Sequence, residues 1–317
     1  MASAAPSSSS SQPGAQTPSV PPGMDRALTG HNVPEKFLSV AYLTGAFPLI
    51  ASRADPRVSY TIYVPPDHYH PTPDSTRKKL PLFVDIHGTD RTISPVFRED
   101  EHRAFARNTP CSILAPVFPA GLDDPNDVDS YKILRSKSLR SDQVFLSILD
   151  EVAYRWPGVE TNKIFMAGFS GGGQFAHRFL YLYPERIAGI SIGAPGQVTF
   201  LNEDEAWPHG IANVQGLFDR TVRRDLIREV PIQLLIGGKD TEAPNQEFWE
   251  WVQENTGGSV PRNESRMELM QKLRVSWAED GIQAEIRVVP GVGHNGSASA
   301  MLQAVYNHMG GLMQSAN

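Results

Sequence analysis

The chain has 317 residues, of which 40% are hydrophobic and 20% charged, with a net charge of −6. That length suits one α/β domain with a tail, and that apolar content suits a sizeable core. An acidic balance without a basic block argues against nucleic acid or an anionic membrane as partner, and no apolar run approaches the roughly 20 residues of a membrane span.

Residues 1–33 are rich in Ser, Pro, Ala, Gly and Gln, a composition that predicts a disordered tail. The start of the chain lacks the charged and apolar regions of a secretory leader, so a cytoplasmic location is expected. The single cysteine, Cys111, leaves no internal disulfide and no cysteine metal cluster. It adjoins an apolar run and reads as a buried thiol.

Residues 34–317 read as one domain. Phe37–Leu43 and Val58–Val64 alternate apolar and polar positions and predict two antiparallel strands. Leu80–Ile86 reads as a buried strand ending at His87-Gly88-Thr89-Asp90, followed by a helix over Glu99–Arg107 and a strand over Ser112–Val117. Helical spacing of Val144, Phe145, Ile148, Leu149 and Val152 predicts an amphipathic helix across Leu139–Trp156. A strand at Ile164–Ala167, a helix at Gly171–Tyr183 and a strand at Ile187–Ile192 follow. Residues 196–230 form a mixed segment, expected as a small cap-like insertion before the strand Ile232–Ile236. Helices over Phe248–Val252 and Met267–Ala278, a strand over Ala284–Val289 and a final helix over Ser297–Met313 complete the chain. Alternating strands and helices predict a mostly parallel, doubly wound sheet, with ligands bound beyond the carboxyl ends of its strands.

Four motifs fall at those ends. Gly168-Phe169-Ser170-Gly171-Gly172 is a G-x-S-x-G turn between strand and helix, the setting of a nucleophile elbow. A serine hydroxyl needs a base to take its proton. His294, in a loop flanked by Gly293 and Gly296, is the candidate base. Asp240, after Gly237-Gly238-Lys239, is the candidate acid that would fix the imidazole's tautomer, with Glu242 the nearest substitute. Two backbone N–H groups would hold an oxyanion: Gly171, at the helix start, and Thr89, in the loop after His87.

Other polar residues stay open between site and scaffold. His87 reads as a brace for the oxyanion loop, with substrate contact the alternative, and Asp90 and Arg91 either touch substrate or pair locally. Trp207 either lines an apolar pocket or packs within its own segment. Asp85 lies at the sheet end or pairs with a buried donor, and His177 reads as a packed helix residue. The nine histidines lack zinc-ligand spacing, and no dinucleotide fingerprint follows a strand, so no metal or cofactor is expected.

With these motifs the chain resembles the α/β-hydrolase superfamily over roughly residues 36–315. It is most similar to the branch of polyhydroxybutyrate depolymerases and feruloyl esterases. The matching stretches are Pro81–Gly88, Ser141–Phe145, Ile164–Ala188, Gly237–Asp240 and Gly293-His294. The resemblance implies an α/β-hydrolase fold, a triad of Ser170, Asp240 and His294, and oxyanion donors at Thr89 and Gly171. It implies hydrolysis of an ester or thioester of a small acyl substrate. The loop Gly88-Thr89-Asp90-Arg91 departs from the Gly-Cys-x-Gln of those esterases, and their disulfides have no counterpart here. A weaker similarity, through Ser191–Gly196 and Trp207-Pro208, is to hydrolases that accompany polyketide biosynthesis. It leaves acyl transfer, carbon–carbon cleavage or condensation as an alternative to hydrolysis. Binding without turnover is a third reading.

Overall fold

The computed structural model describes residues 20–21, 23–72, 78–93, 101–243, 250, 253–254 and 264–315. Nine strands form one sheet: β1 Gly45–Ala46, β2 Ile50–Ala51, β3 Ser59–Val64, β4 Leu80–Ile86, β5 Ser112–Val117, β6 Val159–Phe169, β7 Ile187–Gly193, β8 Ile232–Gly237 and β9 Ala284–Val289. Their order is β1-β3-β5-β4-β6-β7-β8-β9, with β2 also on β3. From β5 to β9 every pairing is parallel, while β3 joins β5 antiparallel, Ile62 opposite Leu114.

Period-two alternation divides the core between the two faces of this sheet. Leu82, Val84 and Ile86 of β4 lie in the larger cluster, with the helices Ser141–Arg155, Gly171–Leu182 and Arg266–Glu279. Phe83 of the same strand lies in a second cluster with Phe105, Tyr306 and Met309, on the helices His102–Asn108 and Ser299–Ser315. Cys111 is buried in that second cluster. No helix among the described residues is long and apolar enough to cross a membrane.

The structure adds detail to the sequence expectations, and at one strand it departs from them. Phe37–Leu43 is a short 3-10 helix, Glu35–Phe37, followed by turns rather than a strand. The Leu43 N–H returns to the Leu38 carbonyl at 2.7 Å and Tyr42 has φ 55°, so the backbone curls instead of extending. Part of the segment expected as tail packs on the domain: Met24 and Thr29 are buried, and the Gly30 N–H donates to the Arg155 carbonyl at 2.9 Å. Within residues 196–230, Val198, Trp207, Val214, Phe218 and Ile227 are buried in the larger core cluster. The helix expected over Glu99–Arg107 begins at His102, and residues 99–100 lie outside the described residues. So does most of the helix expected over Phe248–Val252.

Candidate active site

The elbow is built by close approach of backbones. A β-carbon on Gly168 would meet the Gly172 carbonyl, and one on Gly172 would meet the Ile86 carbonyl at the end of β4. Both glycines are therefore required for β6 to turn into its helix. Ser170 sits in that turn at φ 56°, ψ −115°, a conformation L residues rarely adopt and one that costs about 1–3 kcal/mol. The turn is held by the Ser170 N–H, which donates to the Gly193 carbonyl of β7 at 2.8 Å.

Ser170, Asp240 and His294 come together. The His294 ring places Nε2 3.0 Å from Ser170 Oγ and Nδ1 2.6 Å from Asp240 Oδ2. Asp240 is buried, its N–H bonded to the Gly237 carbonyl at the end of β8. Its second oxygen, Oδ1, accepts from Arg266 Nη1 at 3.2 Å, and the same nitrogen donates to the Glu242 carbonyl. Arg266 opens a helix far along the chain, and nothing in the sequence pointed to it. Glu242 thus enters through its backbone and does not replace Asp240. Phe169 packs against the His294 ring at 4.8 Å between centroids, and Gly296 leaves the room for it.

The oxyanion candidates adjoin each other. Thr89 Oγ1 lies 3.1 Å from the point where a Gly171 β-carbon would stand. Gly171 is the first residue of its helix, so its N–H has no intrahelical acceptor. The Thr89 loop is braced from behind. Phe118 N–H can only donate, and it meets His87 Nε2 at 3.0 Å, so the ring proton lies on Nδ1 and donates to the Gly88 carbonyl at 2.7 Å. Burial holds His87 down to about 4, a neutral ring. Arg91, at φ 55°, turns inward: its guanidinium donates to the carbonyls of Thr89, Phe118 and Val128 and lies 4.9 Å from the Tyr131 ring centre. Asp90 is tied to the Thr92 hydroxyl and N–H, which keep its carboxyl below the usual range despite partial burial.

A cavity of about 350 Å³ opens at this edge of the sheet, lined by Ser170, His294, Thr89 and Phe169 among others. His87 and Asp90 also line it, but both ring nitrogens of His87 are occupied by backbone. Trp207 does not line it. Its indole N–H donates to the Ile133 carbonyl and its ring packs on Phe218 in the core. His177 is likewise structural, with Nε2 accepting from the Thr199 N–H and Nδ1 donating to the Gly173 carbonyl. Tyr131 and Lys132, behind Gly171, were not anticipated: the Tyr131 hydroxyl donates to the His87 carbonyl and Lys132 is buried in an ion pair with Asp129.

The parallel sheet with its antiparallel N-terminal strands, the Ser170 turn after β6, and Asp240 and His294 after β8 and β9 define the α/β-hydrolase fold. Among solved structures the chain is similar to the poly(3-hydroxybutyrate) depolymerase LpqC of Bordetella parapertussis, at 20% identity over 82% of this chain and 84% of that one, with a TM-score of 0.57. It is similar to an S-formylglutathione hydrolase of Agrobacterium tumefaciens, at 16% identity over 85% and 94% of the two chains and TM-score 0.52. A ferulic acid esterase matches at 15% identity over 86% and 98%, with TM-score 0.53. No protein-family model and no curated protein matches the sequence.

Proposed function

We propose that the chain is a serine hydrolase that cleaves a carboxylic ester or thioester of a small, largely apolar molecule through an acyl-enzyme. The observation that carries this reading is the pair of hydrogen bonds that runs from Ser170 Oγ through the His294 ring to Asp240. Ser170 Oγ attacks the carbonyl carbon as Nε2 of His294 takes its proton. The carbonyl oxygen becomes an oxyanion, met by the N–H groups of Gly171 and Thr89. The tetrahedral adduct collapses, the leaving alcohol or thiol takes the proton from His294, and the acyl group stays on Ser170. Water, deprotonated by His294, then releases the acid. Asp240 holds the Nδ1 proton throughout and balances the imidazolium. The reading calls for no metal or cofactor. The names of the similar structures, two esterases by bond cleaved and one thioester hydrolase, are consistent with it.

The test is labelling with a fluorophosphonate, which phosphonylates an activated serine. Wild type is expected to label at Ser170 and to hydrolyse short p-nitrophenyl esters, and Ser170→Ala to do neither. Hydrolysis that survives in Ser170→Ala overturns the reading.

A further inference from the structure

Asp85 stands at the carboxyl end of β4, in register with Ala167 of β6, three residues before Ser170. It shares the Phe83 face of the strand, which elsewhere is apolar. The aspartate lines the cavity that holds Ser170 and His294. It also lines a smaller cavity of about 50 Å³, which shares His102, Phe169, Gly296 and Leu302 with the first and extends toward Val305 and Tyr306. Asp85 is therefore at the junction of the two. By the measure in which one water needs roughly 10–15 Å³, the inner cavity admits a group of about three or four heavy atoms.

Two polar groups at this junction lack a partner among the described residues. Asp85 is half-buried on the cavity wall and takes no hydrogen bond or ion pair from any described residue, and desolvation pushes its carboxyl up to about 7. Tyr306 lines the inner cavity, is 7% exposed, and its buried hydroxyl has no hydrogen-bond partner among the described residues. A buried hydroxyl without a partner is costly, and an unpaired carboxylate on the wall of the same cavity can accept, so the two together point to a missing donor group on a ligand. The charge of the walls says which kind. The described lining of the two cavities includes Asp85, Asp90, His87, His102 and His294 and neither Lys nor Arg, and His87 is held neutral, so its only fixed charges are carboxylates. A wall of that sign repels an anionic substrate and complements a cation.

We propose that Asp85 and Tyr306 are the recognition end of the substrate pocket, and that one arm of the substrate ends in a primary ammonium group that donates to both oxygens. The inference rests on the reading of Ser170 as the nucleophile of an ester-cleaving site. It makes Asp85 a specificity-determining residue, with no part in bond cleavage.

The test uses the full chain and two readouts. Ligand-observed NMR titration at pH 7.5 is expected to find butylammonium bound at least tenfold more tightly than butanol, with butanoate unbound. Asp85→Asn is expected to remove that preference, and Tyr306→Phe to reduce it about threefold while keeping the fold's apolar packing. In kinetics, an acyl ester whose chain ends in an amine, or an acetate ester carrying the amine on its alcohol side, is expected to exceed its alkyl counterpart at least tenfold in kcat/KM. The side on which the gain falls tells which arm enters the inner cavity. A preference for butanol overturns the ammonium assignment in favour of a hydroxyl. Equal binding of all three probes, or a preference unchanged in both variants, overturns the site and leaves the two polar groups to ordered water. Because the titration reads binding directly, loss of this inference with intact fluorophosphonate labelling is distinguishable from loss of the nucleophile itself.

Discussion

The hydroxyl of Tyr131 stands in the space that a side chain on Gly171 would need, and it donates to the His87 carbonyl at 3.1 Å. One phenol thus braces the loop that carries Thr89 and fills the ground behind the residue that follows Ser170. Gly171→Ala is expected to displace Tyr131 and with it the donor geometry, lowering kcat on a short ester by about 10²–10³. Tyr131→Phe removes one hydrogen bond, a stability cost of about 1 kcal/mol. In the double variant the hydroxyl clash is gone, so its kcat is expected to exceed that of Gly171→Ala. Circular dichroism checks that each variant is folded.

Asp240 is held at both oxygens, by His294 Nδ1 and Arg266 Nη1. Asp240→Asn allows the wrong imidazole tautomer and is expected to lower kcat by about 10⁴. Arg266→Gln keeps the carboxylate but loosens its hold, so a smaller drop in kcat is expected with KM little changed. Steady-state kinetics on one ester separates the two, and an Asp240→Asn variant with wild-type turnover contradicts the proposed triad.

The neutral His87 gives the fold a pH dependence of fixed sign. Its folded value, about 4, lies below the ordinary 6.5, so over that interval the unfolded chain binds a proton that the folded chain refuses. Its contribution to stability is full above about pH 6.5 and is lost as pH falls toward 4. Buried His177, also held well below its ordinary range, acts in the same direction. His87→Gln is expected to be less stable than wild type at pH 7, with the gap narrowing by pH 4.5. Urea midpoints at the two pH values measure it.

Trp277 is fully buried, and its indole N–H donates to the Tyr181 hydroxyl at 2.7 Å, which in turn donates to the Thr199 carbonyl. Trp277→Ala is expected to cost about 3–5 kcal/mol by leaving a cavity. Ser265→Ala, at the head of the same helix, removes a capping box and is expected to cost about 1 kcal/mol. Chemical denaturation of the two variants checks the contrast between core and cap.

The elbow was legible in the sequence because its glycines are a steric necessity, and because strand ends bring distant motifs to one edge. The sheet was legible from β3 to β9 for the same reason: buried strands of β-branched residues alternate with amphipathic helices. Residues 37–43 misled because they carry the apolar and aromatic residues of a strand on a backbone that is not extended. Leu38 and Leu43 are buried and Val40 and Tyr42 exposed, but the burial is achieved by a turn. Arg266 was invisible because a single arginine at a helix start carries no pattern that points to an aspartate 26 residues earlier. Trp207 was ambiguous because an aromatic residue suits a pocket wall or a core equally, and only the packing of 196–230 decides between them.

The guanidinium of Arg178 is wholly buried, yet its acceptors are all neutral: the Lys132 carbonyl, Gln174, Gln197 and Thr199. It rivets the helix behind Ser170 to both the 130s loop and the 196–230 segment, so a change on that side is transmitted to the helix that follows Ser170. Efforts to widen the substrate range therefore meet a rigid flank on the side of Arg178, where one substitution disturbs three segments at once.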